Sequence, residues 1–209
     1  MHPSNYEIDL NRINNEQVVS FIHQNKLYLL KDFAALVSFS RSHPDIHNFH
    51  HHTKTFYIQK PVDEVWDAYK NIAPGLAWSG NMLKFGLQYC RKQNTLSYVD
   101  DDYKGAAVGQ IVLIRVNFLG GLAKIAVGHE ITALNDEERM LETCYLLKGK
   151  SLGSQQIRLK ESVDGFTEIT HHTIFKSGSR FRDKVLYPFL HTKAIKAFHD
   201  NIRNHLIKP

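Results

Sequence analysis

The chain has 209 residues, enough for one ordinary domain with something appended. With 43% apolar and 11% aromatic residues it can bury a real core, which excludes global disorder. Its formal charge of +5 comes from 26 basic and 21 acidic residues scattered singly, not from the basic patch that nucleic acid requires, so a nucleic-acid partner is set aside. Two cysteines, Cys90 and Cys144, are too few for a disulfide scaffold and lack zinc-type spacing. The start, "MHPSNYEIDL", lacks the basic end and apolar run of a signal peptide. The longest apolar stretch, "LYLLKDFAALVSF", is broken by Lys31 and Asp32 and is too short to span a bilayer. A cytoplasmic protein with no integral membrane segment is expected.

Residues 15–39 place Val18, Ile22, Leu30, Phe33, Leu36 and Val37 at spacings that predict one or two amphipathic helices. "HPDIHNFHHHTK" (43–54) then packs in His43, His47, His50, His51 and His52. Adjacent histidines cannot all converge on one ion, so the run reads as a solvated linker, with an adventitious metal site as its alternative. "TKTFYIQ" (53–59) predicts a strand, and Pro61 sits where a helix can begin, followed by Val62, Val65, Trp66 and Tyr69 on one side. Trp78, Met82, Phe85 and Tyr89 have helical spacing, although Gly80 and Gly86 argue against a clean helix.

From Gly109 the pattern becomes strand-like: "QIVLIRVNF", "AKIAVGHEITA", "RMLETCYLL", "SQQIRLKE" and "TEITHHTIFK", joined by turn-rich links. Five such strands predict an antiparallel meander, with Gly120-Gly121 as a hairpin turn. A closing helix follows, with Ala194, Ile195, Phe198, Ile202 and Leu206 in one stripe and His191 and His205 falling within it.

Strand parity turns Ala123, Ile125, Val127, His129, Ile131 and Ala133 inward. The same rule turns in Leu141, Thr143, Tyr145 and Leu147, then Gln155, Ile157 and Leu159, then Ile169, His171, Thr173 and Phe175. Simple hairpin registers pair His129 with Thr143, Thr143 with Ile157, and Ile157 with His171. On a flat sheet His129 and His171 then stand about 14 Å apart, too far to share a metal. So many inward polar groups suit a partly hydrated cavity better than a dry core, where each unpaired one costs roughly 1–3 kcal/mol. His129, Thr143, Tyr145, Gln155, His171, Thr173, His191 and Phe198 are the candidate cavity residues.

The segments "FYIQKPVDEVWDAY", "GAAVGQIVLI", "GHEITALNDEERMLETCYLL" and "FRDKVLYPFLHTKAIKAFHDNI" together resemble the START-like superfamily, which includes the birch-pollen-allergen, polyketide-cyclase and lipid-transfer families. The resemblance covers about residues 53–207 and implies an α+β helix-grip fold: a curved antiparallel sheet around a long C-terminal helix, with a cavity between them. Residues 1–52 form an N-terminal helical arm and histidine-rich linker outside it; packing on the domain, covering the cavity mouth and forming a homodimer are the three roles open to that arm.

No Gly-x-Ser-x-Gly, HExxH, Walker or dinucleotide motif is present, so no cofactor is expected. "DDDY" (100–103) could bind a cation but also reads as a surface loop, and Cys144, outward by parity, has no base beside it. The leading expectation is binding or carriage of a hydrophobic small molecule. A cyclase- or dehydratase-like enzyme using His129, Tyr145, His171 and His191 is the alternative, and a protein-interaction module with a packed core is the third reading.

Overall fold

The computed structural model describes residues 6–179 and 182–207. Helices α1 (Glu16–Gln24) and α2 (Leu30–Ala34) precede strand β1 (His50–Ile58). Helices α3 (Val62–Asn71) and α4 (Pro74–Ala77) lead into β2 (Leu83–Cys90) and β3 (Thr95–Ser97). The meander is β4 (Gln110–Phe118), β5 (Ala123–Asn135), β6 (Met140–Tyr145), β7 (Leu152–Glu161) and β8 (Thr167–Lys176). A π-helical turn, Arg182–Leu186, runs into the closing helix α5 (Tyr187–Ile207). The strands form one antiparallel sheet in the order β1-β8-β7-β6-β5-β4-β2-β3. No helix among the described residues is long and apolar enough to cross a membrane.

The concave face holds α3, α4 and α5. Val65, Trp66 and Tyr69 of α3 pack with Ile157, Leu159 and Ile169 of the sheet and Ile202 of α5. Trp66 Nε1 donates to Asp136 at 2.7 Å, which pins α3 to the turn after β5. The arm lies on the opposite, convex face: Val18, Ile22 and Phe33 pack against Leu87, Ile111 and Leu113. Covering of both faces explains why "QIVLIRVNF" is nearly continuous in apolar residues, with Ile111 and Leu113 outward and Val112, Ile114 and Val116 inward. Arg91 ties the arm down by donating to the Ala34 carbonyl at 2.7 Å and pairing with the buried Glu130 at 2.6 Å.

Two bulges correct the expected facings. The helical spacing of Phe85 and Tyr89 belongs to a strand, not a helix. A register shift between Phe85 and Leu87 turns Leu83 and Phe85 toward the cavity side and Leu87 and Tyr89 toward the arm. Gly86 occupies the shift because a Cβ there would stand 2.7 Å from the Val18 side chain and 2.9 Å from the Leu113 carbonyl oxygen. In β5 the shift between Ile131 and Ala133 places Ala133 opposite the outward Glu142, so Leu134, paired with Leu141, is inward instead. Leu147 lies beyond β6 and is exposed, and His205 is exposed at the end of α5.

Two registers slip from the simple hairpins by two residues and the third is as expected, so the parity of these residues survives. His129 pairs with Tyr145, Thr143 with Gln155, and Ile157 with His171. β1 begins three residues before the expected strand, which puts His50, His51 and His52 inside it. In "DDDY", Asp101 is engaged by Arg12 at 2.6 Å and by the Tyr98 amide at 2.9 Å.

Candidate functional site

Between the concave sheet face and α5 lies a cavity of about 330 Å³. Trp78, Ile114, Val116, Ile125, Val127 and Phe198 supply much of its apolar wall, with the Phe198 ring stacked on Trp78 at 4.4 Å between centroids. His129, Thr143, Tyr145, Gln155, His171 and His191 also line it. Of the expected cavity residues only Thr173 does not. It is completely buried on β8 between His52 and Gln155, and its hydroxyl has no hydrogen-bond partner.

One continuous chain of hydrogen bonds includes the cavity-lining His129, Gln155 and His171, with Tyr69 and His199 buried outside the lining. Tyr69 Oη lies 2.5 Å from His199 Nδ1, and His199 Nε2 lies 2.9 Å from His171 Nδ1. His171 Nε2 donates to Gln155 Oε1 at 2.8 Å, and Gln155 Nε2 donates to His129 Nε2 at 3.1 Å. His129 and His171 are therefore joined through a single amide, although their strands stand three spacings apart as expected. Curvature draws inner-face side chains together, and the long Gln155 side chain spans what remains. No group of three or more His, Cys, Asp or Glu side chains among the described residues is arranged to hold a metal ion.

A second cluster joins β1 to α5. His191 Nδ1 faces His52 Nδ1 at 3.2 Å, and His52 Nε2 meets Thr192 Oγ1 at 3.0 Å. His191 also stacks on Tyr187, which stacks on Phe175 and exchanges a 2.6 Å hydrogen bond with Tyr145. His52 and His199 were absent from the expected site. His199 stands four residues after Ile195 and three before Ile202, so the apolar stripe of α5 already carried its signal. The even parity between His50 and His52 gave the weaker hint for His52.

Burial sets the protonation of these histidines. It holds His129 at about 4 and His199 at about 3, the latter with a smaller push from His191. Burial, then neighbouring histidines, takes His171 and His191 well below the ordinary range. The wall is neutral at pH 7. Burial also raises Tyr69, Tyr145 and Tyr187, so their hydroxyls stay protonated. On the convex side the Cys144 thiol, packed with Phe39 and Phe49, is pushed up to about 11, chiefly by burial, which leaves little nucleophilic thiolate. At the cavity mouth Arg182 donates to the Lys150 carbonyl at 2.5 Å, closing the β6–β7 loop against the π-helical turn.

An eight-stranded antiparallel sheet curved around a long C-terminal helix, with a cavity between them, is the START-like helix-grip fold. The solved structures agree. The major latex-like protein 151 of Panax ginseng superposes with a TM-score of 0.56 at 11% identity, covering 77% of this chain and 99% of that one. Norcoclaurine synthase from Thalictrum flavum, solved with dopamine and hydroxybenzaldehyde, gives 0.55 at 15% identity, covering 82% of this chain and 95% of that one. Ara h 8.0201 gives 0.50 at 13% identity, over 76% and 98%. At these identities the likeness is one of fold. No protein-family profile matches the chain, and no curated protein sequence does.

Proposed function

We propose that this chain binds one apolar small molecule, without transforming it, in the cavity between the sheet and α5. The observation that carries this reading is the cavity itself: about 330 Å³, walled mainly by aliphatic and aromatic side chains, with hydrogen-bonding groups gathered on one side. Small-molecule sites have this composition, and the size falls at the lower end of their usual range. The structural neighbours are consistent with it, since norcoclaurine synthase holds small aromatic molecules in the same fold. The proposed setting is the cytoplasm, where two unpaired buried thiols persist.

Binding is favoured over cyclase or dehydratase chemistry by the protonation of the wall. General acid–base catalysis works best with a pKa near the operating pH. With His129 near 4, and His171 and His191 well below the ordinary range, the cavity-lining rings hold no proton to give at pH 7 and are weak bases. They are better suited to orienting a ligand than to moving its protons.

Titration with the neutral fluorophore N-phenyl-1-naphthylamine tests this. We expect saturable 1:1 uptake with a negative heat-capacity change. Ala194→Phe or Val127→Phe, each filling the cavity from one wall, should weaken it at least about tenfold. Binding that is unsaturable, or unchanged in the folded variants, would place the probe outside the cavity and refute the proposal.

A further inference from the structure

The two hydrogen-bond chains fix which ring nitrogens carry hydrogen. In the first, Tyr69 is buried and its hydroxyl has His199 Nδ1 as its partner, so Tyr69 must donate. A neutral His199 then carries its hydrogen on Nε2 and donates to His171 Nδ1. His171 in turn donates from Nε2 to Gln155 Oε1, which aims the Gln155 NH₂ at His129 Nε2. His129 is left with its hydrogen on Nδ1, a nitrogen that has no hydrogen bond among the described residues and is not sealed off, on a ring that lines the cavity.

The second chain runs the other way. Thr192 Oγ1 stands 2.6 Å from the Pro188 carbonyl oxygen, so its hydrogen must lie between those two oxygens. The hydroxyl therefore accepts from His52 Nε2, and His52 Nδ1 is a lone pair facing His191 Nδ1. His191 must hold its hydrogen on Nδ1, and its Nε2 becomes an acceptor, enclosed and without a partner. The remaining cavity hydroxyls, Tyr145 and Tyr187, spend one hydrogen on each other and keep the second as a further donor.

We infer that the cavity selects a neutral apolar ligand carrying a hydrogen-bond acceptor, such as a ketone carbonyl, for the His129 Nδ1–H. His191 Nε2 has no surface open to the cavity and takes no part. This rests on the cavity reading above and narrows it to carbonyl compounds. A hydrocarbon would leave the His129 Nδ1–H unpaired, whereas a ketone satisfies it.

Long-range ¹H–¹⁵N correlation spectra of the full chain labelled at histidine nitrogen read the tautomers without any ligand. His129 and His191 are expected as Nδ1–H forms, and His52, His171 and His199 as Nε2–H forms. His129 in the opposite form overturns the inference. Two matched probes read the consequence: diphenylmethane and benzophenone. Benzophenone should bind roughly tenfold more tightly, and His129→Phe should erase that gain. Equal binding of the two overturns the selectivity while leaving the cavity proposal standing; binding of neither refutes the cavity proposal itself. Should His129→Phe not fold, the spectra of the unaltered chain still decide.

Discussion

Between pH 7 and pH 4.5 the protein is expected to lose about 5 kcal/mol of folding stability through His129 and His199 alone. Both rings are buried and neutral in the fold, at about 4 and about 3, whereas an unfolded histidine titrates near 6.5. Above that value neither state binds the proton and stability is complete. As pH falls below it, the unfolded chain takes up protons that the native chain refuses, and each unit costs about 1.4 kcal/mol per ring. His171 and His191 act in the same direction. Against a usual total of about 5–15 kcal/mol, this is enough to unfold the protein in mild acid. Asp101 and Asp136, held low mainly by Arg12 and by Lys70 with Trp66, lose their contributions only at lower pH. Urea midpoints measured from pH 7.5 to 4.5 check this. They should fall steeply below about 6.5; midpoints flat to pH 5 would mean that the histidines are not buried as described.

Gln155→Leu is expected to destabilise the fold by about 2–5 kcal/mol, because the amide serves two rings at once. Its removal strands His129 Nε2 and His171 Nε2, both on buried residues, and each unpaired group costs roughly 1–3 kcal/mol. Its cross-strand neighbour should respond with the opposite sign. Thr173 is completely buried with an unpartnered hydroxyl, so Thr173→Val removes a desolvated polar group at almost constant shape and should be neutral or stabilising. Denaturant unfolding of both variants at pH 7.5 gives the comparison. A loss below about 1 kcal/mol for Gln155→Leu would show that the histidine chain is not a connected network.

Much of this was legible in the residues. The alternation from Gly109 onward specified five strands and the inward side of the last four, and even-numbered register slips left the facing of His129, Gln155 and His171 intact. Bulges were not legible. A single inserted residue at Gly86 or near Thr132 reverses every facing beyond it, and no local pattern announces where a strand gives up one pairing. The link across the sheet was not legible either: strand spacing gives the separation of His129 and His171, but not that the Gln155 side chain joins them. His199 was readable from the α5 stripe. His52 was hidden because a run of histidines after Pro44 looks like solvated linker, although β1 begins at His50 and points His52 at α5.

The measurement closest to the central claim is native mass spectrometry of untagged full-length protein, followed by solvent extraction. The cavity as described predicts one apolar molecule per chain, carrying a carbonyl and released when the protein is denatured. A bare chain that also takes up neither diphenylmethane nor benzophenone would contradict it, because a cavity walled by Ile114, Val127 and Phe198 would then be closed to the molecules it is shaped to hold.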